Sequence, residues 1–315
     1  MKALSNYEPK VVEYLYNYLA HLVQNPGELP RTAIAMQSDQ GVGKNLFFEN
    51  FTFRMLGKKY LLVTTSIDDI VGTFPQTSGK LIVCLDEASA GDTFSNNNKI
   101  KGHITTEYEH VQRKGVDAVR MLNCNRMFLF TNENNTFKVE EGDRRFMATR
   151  CSAKYKGNTE FFVAVLDEWK NVACVNQFYQ DLKNRDISNF DPERDRPTTE
   201  FYQELKSVSI SNEVRFLDHF IQYGFDEFIE DKKKKEAKDD DWKKATYLYK
   251  QYKMHCTEMN WSQPRSDKMF FMALHRELRR GTKTEYKRRG AKGTTYLIDR
   301  DDIQTWLEKD FKDCL

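Results

Sequence analysis

The glycine-containing segment from Ser38 to Asn45, which reads Ser-Asp-Gln-Gly-Val-Gly-Lys-Asn, is the feature that most constrains how this chain folds. An apolar run, Thr32–Met36, precedes it, and a helix-like run, Leu46–Phe51, follows it. A strand, a glycine loop with a lysine and a helix together form the local structure that binds a polyphosphate. The loop N–H groups and the helix N-terminus point at the anion, and Lys44 adds a positive charge. The usual pattern begins with Gly and ends with Ser or Thr, where this segment has Ser38 and Asn45.

The composition excludes several classes of protein. The chain has 315 residues, and its net charge of +2 at pH 7 arises from 49 Lys and Arg residues against 47 Asp and Glu residues. No apolar run is long enough to cross a bilayer, and the N-terminus lacks the apolar region of a signal peptide. The six cysteines include no CxxC pair, which indicates reduced thiols and not a zinc site or a disulfide framework. We therefore expect a soluble, cytoplasmic protein without a membrane partner.

The first half of the chain has the pattern of an α/β fold. Apolar residues at helical spacing predict a helix from about Pro9 to Val23, and the segment Asn25–Pro30 ends it. From Arg31 to about Ser152, short β-rich runs alternate with helical or polar segments. The candidate strands are Thr32–Gln37, Tyr60–Thr64, Lys80–Leu85, Arg126–Thr131 and Arg145–Cys151.

The second half of the chain is predicted to be mainly helical. One long amphipathic helix is expected over Thr159–Leu182, and Thr198 or Thr199 is expected to cap another. A run of charges over residues 231–241 predicts a linker. Two further helices then precede a basic, glycine-containing turn and a strand, Lys287–Ile298, which together suggest a small winged-helix-like domain.

Two carboxylates, Asp86 and Glu87, follow the apolar strand candidate Lys80–Leu85. Ligands of open α/β sheets bind at the carboxyl ends of the strands. Asp86 is therefore placed to hold Mg²⁺, and Glu87 is placed to polarise an attacking water. A core strand that ends in two solvated acids is the alternative for this motif alone, and the upstream glycine–lysine loop favours the magnesium site.

Two other polar motifs follow farther along the chain. Asn132 ends an apolar strand candidate, where it could contact a terminal phosphate or position a water; a simple turn residue is the alternative. Arg144 and Arg145 lie in a Gly-Asp-Arg-Arg-Phe motif. An arginine there could complete the site of a neighbouring subunit by supplying charge to a phosphoryl transition state. Its alternative is a surface ion pair with Asp143.

Between the two strands that precede Asp86 and Asn132, the segment Ile104–Val116 alternates in the manner of a β-hairpin. Its predicted tip contains Arg113 and Lys114. A basic tip can grip nucleic-acid phosphates without reading their sequence. An ordinary exposed hairpin is the alternative.

The order of these motifs resembles that of the superfamily 3 helicases, which are AAA+-like. The resemblance is strongest to the helicase halves of phage, plasmid and large-DNA-virus primase-helicases. The matched segments are Gln40–Asn45, Leu85–Glu87, Arg113–Gly115, Thr131–Asn132 and Asp143–Phe146.

That resemblance implies an α/β fold, with a P-loop AAA+-like ATPase core that has a mainly parallel sheet. An N-terminal helical segment and a C-terminal helical, winged-helix-like tail would flank this core. The implied function is an ATP-dependent DNA helicase of a viral or plasmid replisome, a homo-oligomeric, hexameric ring with ATP and Mg²⁺ between subunits. It would translocate on single-stranded DNA, usually 3′ to 5′, as the C-terminal region of a primase-polymerase. The expected parts are a helical collar (1–29), the ATPase core (30–155), a helical lid region (156–230), the charged linker (231–241) and the basic tail (242–315).

The resemblance also implies roles for individual residues. The implied catalytic residues are Lys44, Glu87, Asn132, Arg144 and Arg145. The implied nucleotide-binding residues are Gln40, Gly41, Val42, Gly43, Lys44, Asn45 and Leu46. Asn45 and Asp86 would hold Mg²⁺, and Arg113 and Lys114 would bind DNA.

Two other functions stay open from the sequence. One is an origin-binding replication initiator of the same ATPase class, in which the tail reads duplex DNA. The other is a nucleotide-stabilised ring that scaffolds a fused primase-polymerase and hydrolyses little ATP. Asn45 motivates the second, because an amide oxygen is a weaker magnesium ligand than the hydroxyl found in the usual pattern.

Overall fold

The chain forms two compact units, Met1–Lys206 and Ser207–Leu315. The computed structural model describes residues 1–87, 90–111, 117–132, 139, 143–223, 242–259, 264–281, 287–290 and 293–311. The boundary between the units lies inside the segment 156–230, which was predicted from the sequence to be one helical lid region. Among the described residues, no helix combines the length and the apolar character that crossing a membrane requires.

The first unit contains helices that surround a central sheet. A 3-10 turn, Lys2–Ser5, precedes the first long helix, and a π-helical turn, Phe47–Thr52, joins α2 to α3 without a break. The helices are α1 (Pro9–Gln24), α2 (Lys44–Leu46), α3 (Phe53–Leu56), α4 (Asp68–Val71), α5 (Ala90–Thr105), α6 (Thr159–Lys170), α7 (Val172–Asn184) and α8 (Glu200–Val208), and the boundary between the units falls within the last turn of α8. The strands are β1 (Ala33–Gln37), β2 (Leu61–Thr64), β3 (Ile82–Leu85), β4 (Tyr108–Val111), β5 (Val119–Leu122), β6 (Arg126–Thr131) and β7 (Phe146–Arg150).

The central sheet has five strands in the order β2-β3-β6-β1-β7, and each pairing between neighbours is parallel. β1, β3, β6 and β7 are almost entirely buried, which explains why they are nearly continuous apolar runs in the sequence. Their bounds lie within two residues of the predicted ones. The predicted α/β fold with a mainly parallel sheet is therefore confirmed.

Alternate residues of the strands pack into two apolar cores, one on each face of the sheet. Ile34, Cys84 and Phe128 face the core formed with α1, α7 and the helical segment that follows the glycine loop. Ala35, Leu85 and other strand residues face the core formed with α4, α5 and α8. This three-layer arrangement buries both faces of the parallel sheet and leaves the carboxyl ends of its strands open at one edge.

β6 lies between β1 and β3, although it follows both along the chain. The register pairs Ile34 with Phe128 on one side of β6 and Cys84 with the same Phe128 on the other. The loops that leave β1, β6 and β3 consequently begin side by side at one edge of the sheet. Three motifs that are far apart in the sequence thus meet at that edge.

The prediction of one long helix over Thr159–Leu182 is wrong in one respect, because two helices, α6 and α7, occupy that segment. Asn171 lies between them in an extended conformation, and its side chain accepts a hydrogen bond from the amide of Ala173 at 3.0 Å. An asparagine side chain can hydrogen-bond nearby backbone groups in place of the helical hydrogen bonds, which ends one helix, and it is also a favoured N-cap for the next. Of the two predicted cap residues for α8, Thr199 is the one whose hydroxyl accepts from an amide of the first turn, that of Tyr202, at 3.0 Å.

The second unit combines helices with a small antiparallel sheet. The sheet has the strand order β8 (Trp242–Lys244), β10 (Gly293–Leu297), β9 (Lys287–Gly290). The core of the unit contains Phe216, Leu248, Phe270 and Trp306. The unit includes α9, whereas the predicted tail began at residue 242; the predicted linker 231–241 lies outside the described residues. The elements are α9 (Asn212–Tyr223), β8 (Trp242–Lys244), α10 (Ala245–Glu258), α11 (Asp267–Gly281), β9 (Lys287–Gly290), β10 (Gly293–Leu297) and α12 (Arg300–Phe311).

Arg126, the first residue of β6, is fully buried, and it ties that strand to the end of α1. Its guanidinium donates hydrogen bonds to the carbonyl oxygens of Pro26 at 2.9 Å, Cys124 at 2.8 Å and Asn25 at 2.7 Å. Burial lowers the pKa of this guanidinium below its usual range. Asn25 and Pro26 follow the last residue of α1, so the arginine provides side-chain donors just beyond the end of that helix.

We expect Arg126→Met to destabilise the first unit by about 3 kcal/mol or more, because a buried guanidinium and its hydrogen bonds to three carbonyl oxygens are lost. Urea denaturation measures this loss, and Arg54→Met, at an exposed position of α3, is the matched control. If the Arg126→Met variant were as stable as the Arg54→Met variant, the three hydrogen bonds would contribute nothing to folding.

Candidate functional site

A cavity of about 470 Å³ lies where the loops after β1, β6 and β3 begin. Almost all of its lining was predicted from sequence as parts of separate motifs. The lining residues are Asp39, Gln40, Gly41, Val42, Gly43, Lys44, Asn45, Leu46, Asp86, Glu87, Asn132 and Phe162. The structure thus brings the glycine loop, the two carboxylates and the strand-terminal amide into one site.

The glycine loop folds tightly because two of its glycines adopt left-handed backbone conformations. Gly41 has a φ of 79° and Gly43 a φ of 88°, values that side-chain-bearing residues rarely adopt. The helical segment begins at the next residue, Lys44, and continues to Leu56. The unpaired amides of a helix start therefore lie at the cavity, as anion binding requires.

Lys44 carries a buried positive charge at the floor of this cavity, and the residue is only 8% exposed. Its ammonium donates to the hydroxyl of Ser38 at 3.3 Å and to Oδ1 of Asn132 at 3.1 Å. Both partners are neutral oxygens, and no carboxylate among the described residues forms an ion pair with Lys44. Since buried charges in proteins are normally paired, the site is electrostatically suited to an anion.

Asp86 and Asn45 meet across the cavity. The side-chain amide of Asn45 donates a short hydrogen bond to Oδ2 of Asp86. Oδ1 of Asn45 is buried and has no hydrogen-bond donor among the described residues. A carboxylate and an orphaned amide oxygen are hard oxygen ligands, so the pair fits the preference of Mg²⁺, which is commonly held by one or two carboxylates together with phosphates and water.

Glu87 occupies a strained position next to Asp86. Its φ is 53°, in the left-handed region that non-glycine residues rarely adopt. The amide of Glu87 donates to Oδ1 of Asp86 at 3.0 Å, and its side chain is exposed at the cavity. Backbone strain of this kind concentrates at functional sites, where surrounding structure maintains it.

Two thiols close to the site remain neutral. Burial, reinforced by the nearby Asp86 carboxylate, raises the pKa of Cys84 well above its usual range. Burial also raises the pKa of Cys151 to about 12, although the positive charge of Lys44 opposes this rise. Neither thiol therefore adds a negative charge near neutral pH that would compensate Lys44.

Arg144 and Arg145 precede β7 and are not among the residues that line the cavity. They lie at the amino end of that strand, whereas the cavity is at the carboxyl ends. β7 has five residues, which separates the two ends by about 17 Å at 3.3 Å per residue. The arginines therefore cannot belong to the lining of the site in their own subunit.

Asp143 anchors this arginine motif. Its buried carboxylate forms an ion pair with Lys101 of α5 at 2.6 Å and accepts from the Arg145 amide at 3.1 Å. Arg145 Nη1 lies 3.5 Å from the same carboxylate, as in the ion pair considered from sequence. Arg144 pairs with Glu193 at 2.6 Å, but its side chain is 76% exposed.

A β-hairpin is present, but the predicted bounds, Ile104–Val116, are wrong: Ile104 belongs to α5, and the second strand, β5, begins only at Val119. β4 and β5 pair antiparallel, with His110 opposite Arg120, and the Arg120 guanidinium lies 3.9 Å from the ring centroid of Tyr108. Its predicted DNA-binding residues, Arg113 and Lys114, lie outside the described residues.

Three residues at the site were not predicted from the sequence as site residues. Ser38 was noted only as a departure from pattern, yet its hydroxyl contacts Lys44. Asp39 lines the cavity rim, where its carboxylate pairs with Lys156 at 2.9 Å. Phe162 comes from α6, and nothing in the local sequence of that helix distinguishes it from a core aromatic.

Comparisons with known proteins match the chain to a family model and to a phage protein. Residues 36–145 match the model of a family of unknown function (DUF5906). A stretch of 155 residues is 28% identical to the DNA primase-polymerase of Nitratiruptor phage NrS-1, covering 47% of this chain and 21% of that protein. The matched part thus spans only about a fifth of the relative's length. The residues matched by the family model include the whole glycine loop, Asp86, Glu87 and Asn132.

Solved structures of the NrS-1 C-terminal region share the fold. One apo structure superposes with a TM-score of 0.66 at 18% identity, covering 94% of this chain and 73% of that one. The A form apo structure gives a TM-score of 0.64 at 19% identity, covering 95% and 74% of the two chains. The chain is thus similar to a phage primase-polymerase in sequence and to its C-terminal region in fold.

Gly43→Ala is expected to destabilise the chain more than Gly41→Ala does. Either change places an alanine at a positive φ, which costs about 1–2 kcal/mol. Only at position 43 would the added Cβ meet another group, Cε1 of Phe162 at 2.5 Å, whereas position 41 is open. Urea denaturation without nucleotide measures the free energy of unfolding of both variants. Adding Phe162→Ala to Gly43→Ala should remove the extra loss of stability at position 43. Equal losses at the two glycines would contradict the placement of the Phe162 ring.

Proposed function

We propose that this chain binds ATP with Mg²⁺ in the cavity at the carboxyl ends of β1, β6 and β3 and hydrolyses it. The observation that carries the proposal is the buried ammonium of Lys44 at the start of a helix, whose hydrogen-bond acceptors among the described residues are neutral oxygens. A polyphosphate would supply the missing negative charge. The glycine-loop amides of residues 40–46 would hold its oxygens, as in a P-loop of the AAA+ type.

Asn45 and Asp86 would hold the magnesium ion of such a nucleotide. When bound, Mg²⁺ neutralises charge that develops on the phosphate oxygens. The existing hydrogen bond from Asn45 to Asp86 keeps one carboxylate oxygen in place and leaves Oδ1 of Asn45 directed away from that bond. The amide therefore replaces the usual hydroxyl as an oxygen ligand.

Glu87 and Asn132 have the positions needed for hydrolysis. Glu87 is exposed at the cavity on a strained turn, where its carboxylate can orient and accept a proton from an attacking water. Oδ1 of Asn132 accepts a 3.1 Å hydrogen bond from the Lys44 ammonium. A terminal phosphate that attracts Lys44 would therefore also change the hydrogen bond to Asn132. Asn132 would thereby sense the terminal phosphate.

An arginine of a neighbouring subunit would complete the site. Arg144 and Arg145 lie at the opposite end of their sheet from the cavity, so they can serve only another copy of the chain. We assign the role to Arg144, because its side chain is 76% exposed while Arg145 is held by the buried Asp143. A site shared in this head-to-tail way closes into a ring, for which we propose a hexamer.

We place this ATPase in the DNA replication of a phage, virus or plasmid, as a superfamily 3-type helicase that moves on single-stranded DNA. Sequence similarity to a phage DNA primase-polymerase supports the setting, as does the fold shared with that protein's C-terminal region. The exposed β4–β5 hairpin supports the DNA contact through Arg113 and Lys114. The chain would accordingly work with, or be joined to, a primase-polymerase module.

A nucleotide-stabilised scaffold is the second candidate, and the contact of Asn45 with Asp86 is the observation that favours it. A carboxylate already engaged by an amide binds a metal ion less readily than a free one. A ring of this kind would bind ATP, hydrolyse it slowly and hold a primase-polymerase in place.

Substitutions of Lys44 and Glu87 separate binding from hydrolysis. Lys44→Ala should weaken ATP binding by roughly a hundredfold or more, because a buried charge contact is lost. Glu87→Gln should leave binding intact and lower turnover by about 10²–10⁴-fold. Equilibrium ATP binding and DNA-stimulated phosphate release are the measurements, and Lys170→Ala on exposed α6 is the control. Equal turnover in the wild type and the Glu87→Gln variant would favour the scaffold.

Mixing of subunits tests the shared site. Arg144→Ala should retain ATP binding and lose about 10³-fold or more in turnover, as removal of an arginine finger does. An equal mixture of Arg144→Ala and Lys44→Ala subunits should recover about a quarter of wild-type turnover, since each site takes its lysine and its arginine from different subunits. A mixture no more active than its separate components would place Arg144 outside the site. Arg194→Ala, at an exposed surface pair, is the control.

A further inference from the structure

Phe162 is the one aromatic residue among the described residues that line the cavity. It comes from the first turn of α6, whose start is capped by the side chain of Asn158. Its ring lies directly against the glycine loop, with Cε1 2.5 Å from the position that a Cβ at residue 43 would occupy. The absence of a side chain at Gly43 is therefore what allows an aromatic ring to approach the loop.

Core packing does not account for this ring. Phe162 is half-buried and, among the described residues, belongs to neither apolar core of the first unit. Phe161 contacts the ring edge-to-face, with 5.4 Å between the ring centroids, and Phe161 in turn stacks on Tyr155 with 3.8 Å between centroids and 6° between the ring planes. The aromatic ring is thus held in place from one side while it remains accessible from the cavity.

The order of the strands places Phe162 on the side of the loop away from the hydrolytic groups. Asp86 and Asn132 follow β3 and β6, which lie on one side of β1. α6 follows β7, which lies on the other side of β1. A nucleotide whose terminal phosphate reaches Asn132 and Glu87 extends its nucleoside away from those strands, toward the α6 side.

The geometry points to Phe162 as the residue that stacks on the nucleotide base. This assignment rests on the proposed function. It adds a contact to the nucleoside, whereas the glycine loop contacts only the phosphates. Stacking on an aromatic ring accepts any base, because every base has a π face. The carboxylate of Asp39, which pairs with Lys156, and the side-chain amide of Gln40 line the same cavity, so we assign them the contacts to the edge of the base.

The test compares ATP with inorganic tripolyphosphate, which has the phosphates but no base. Calorimetry on the full chain with Mg²⁺ gives the affinity for each. Phe162→Leu should weaken ATP binding about tenfold, the size of one base–aromatic stack, and leave tripolyphosphate binding unchanged. Phe162→Trp should restore ATP binding, and its fluorescence should respond to ATP but not to tripolyphosphate.

Three results would overturn the assignment. Equal weakening of both ligands by Phe162→Leu would mean that the ring only supports the loop, and unchanged ATP binding would mean that the base lies elsewhere. A wild-type chain that binds neither ligand would remove the proposed ATP site itself, whereas the first two results leave it standing. Phe74→Leu, at a residue 53% exposed and outside the cavity, is the matched control, and thermal unfolding shows that each variant folds.

Discussion

The parallel pairing of β6 with both β1 and β3 is the constraint on which the candidate site depends. β6 is buried along its whole length and hydrogen-bonded on both sides, so the ends of three strands are fixed at one spacing. Arg126 anchors the start of the strand to the end of α1, and Asn132 follows its last residue. Because strand ends in such a sheet cannot move independently, the loop, the carboxylates and the amide form one preorganised site.

The buried charge of Lys44 gives that site its chemical character. Neutral oxygens of Ser38 and Asn132 hold the ammonium without neutralising it, and the nearby thiols stay protonated. An anionic ligand is therefore favoured at the loop, while Asp86 and Asn45 provide oxygen ligands for a cation beside it. The opposite charges lie in separate parts of one cavity, as binding of a metal–polyphosphate complex requires.

The position of Arg144 and Arg145 in the fold limits the site at which they can act. From the sequence, Arg144 or Arg145 was expected to complete the site of a neighbouring subunit, with a surface ion pair to Asp143 as the alternative. Their position before β7 puts them at the far end of the sheet, so a catalytic role requires a second subunit. The buried pair of Asp143 with Lys101 also distinguishes the two arginines, since Arg145 contacts that carboxylate and Arg144 is mostly exposed.

The sequence by itself determined the strands, the glycine loop and the polar residues that end β3 and β6, because these depend on local periodicity and on residues with special backbone or ligand chemistry. It failed at Asn171, where a side chain that caps a helix interrupts an otherwise continuous apolar pattern. Only the tertiary structure decided that Ser38 contacts Lys44, that Asn45 is bonded to Asp86, and that Phe162 lies on Gly43. The last two contacts join segments whose separation is set by strand order and helix packing, and no local pattern in the chain encodes that distance. Ser38 and Lys44 are near in sequence, but their contact depends on how the glycine loop folds back on itself.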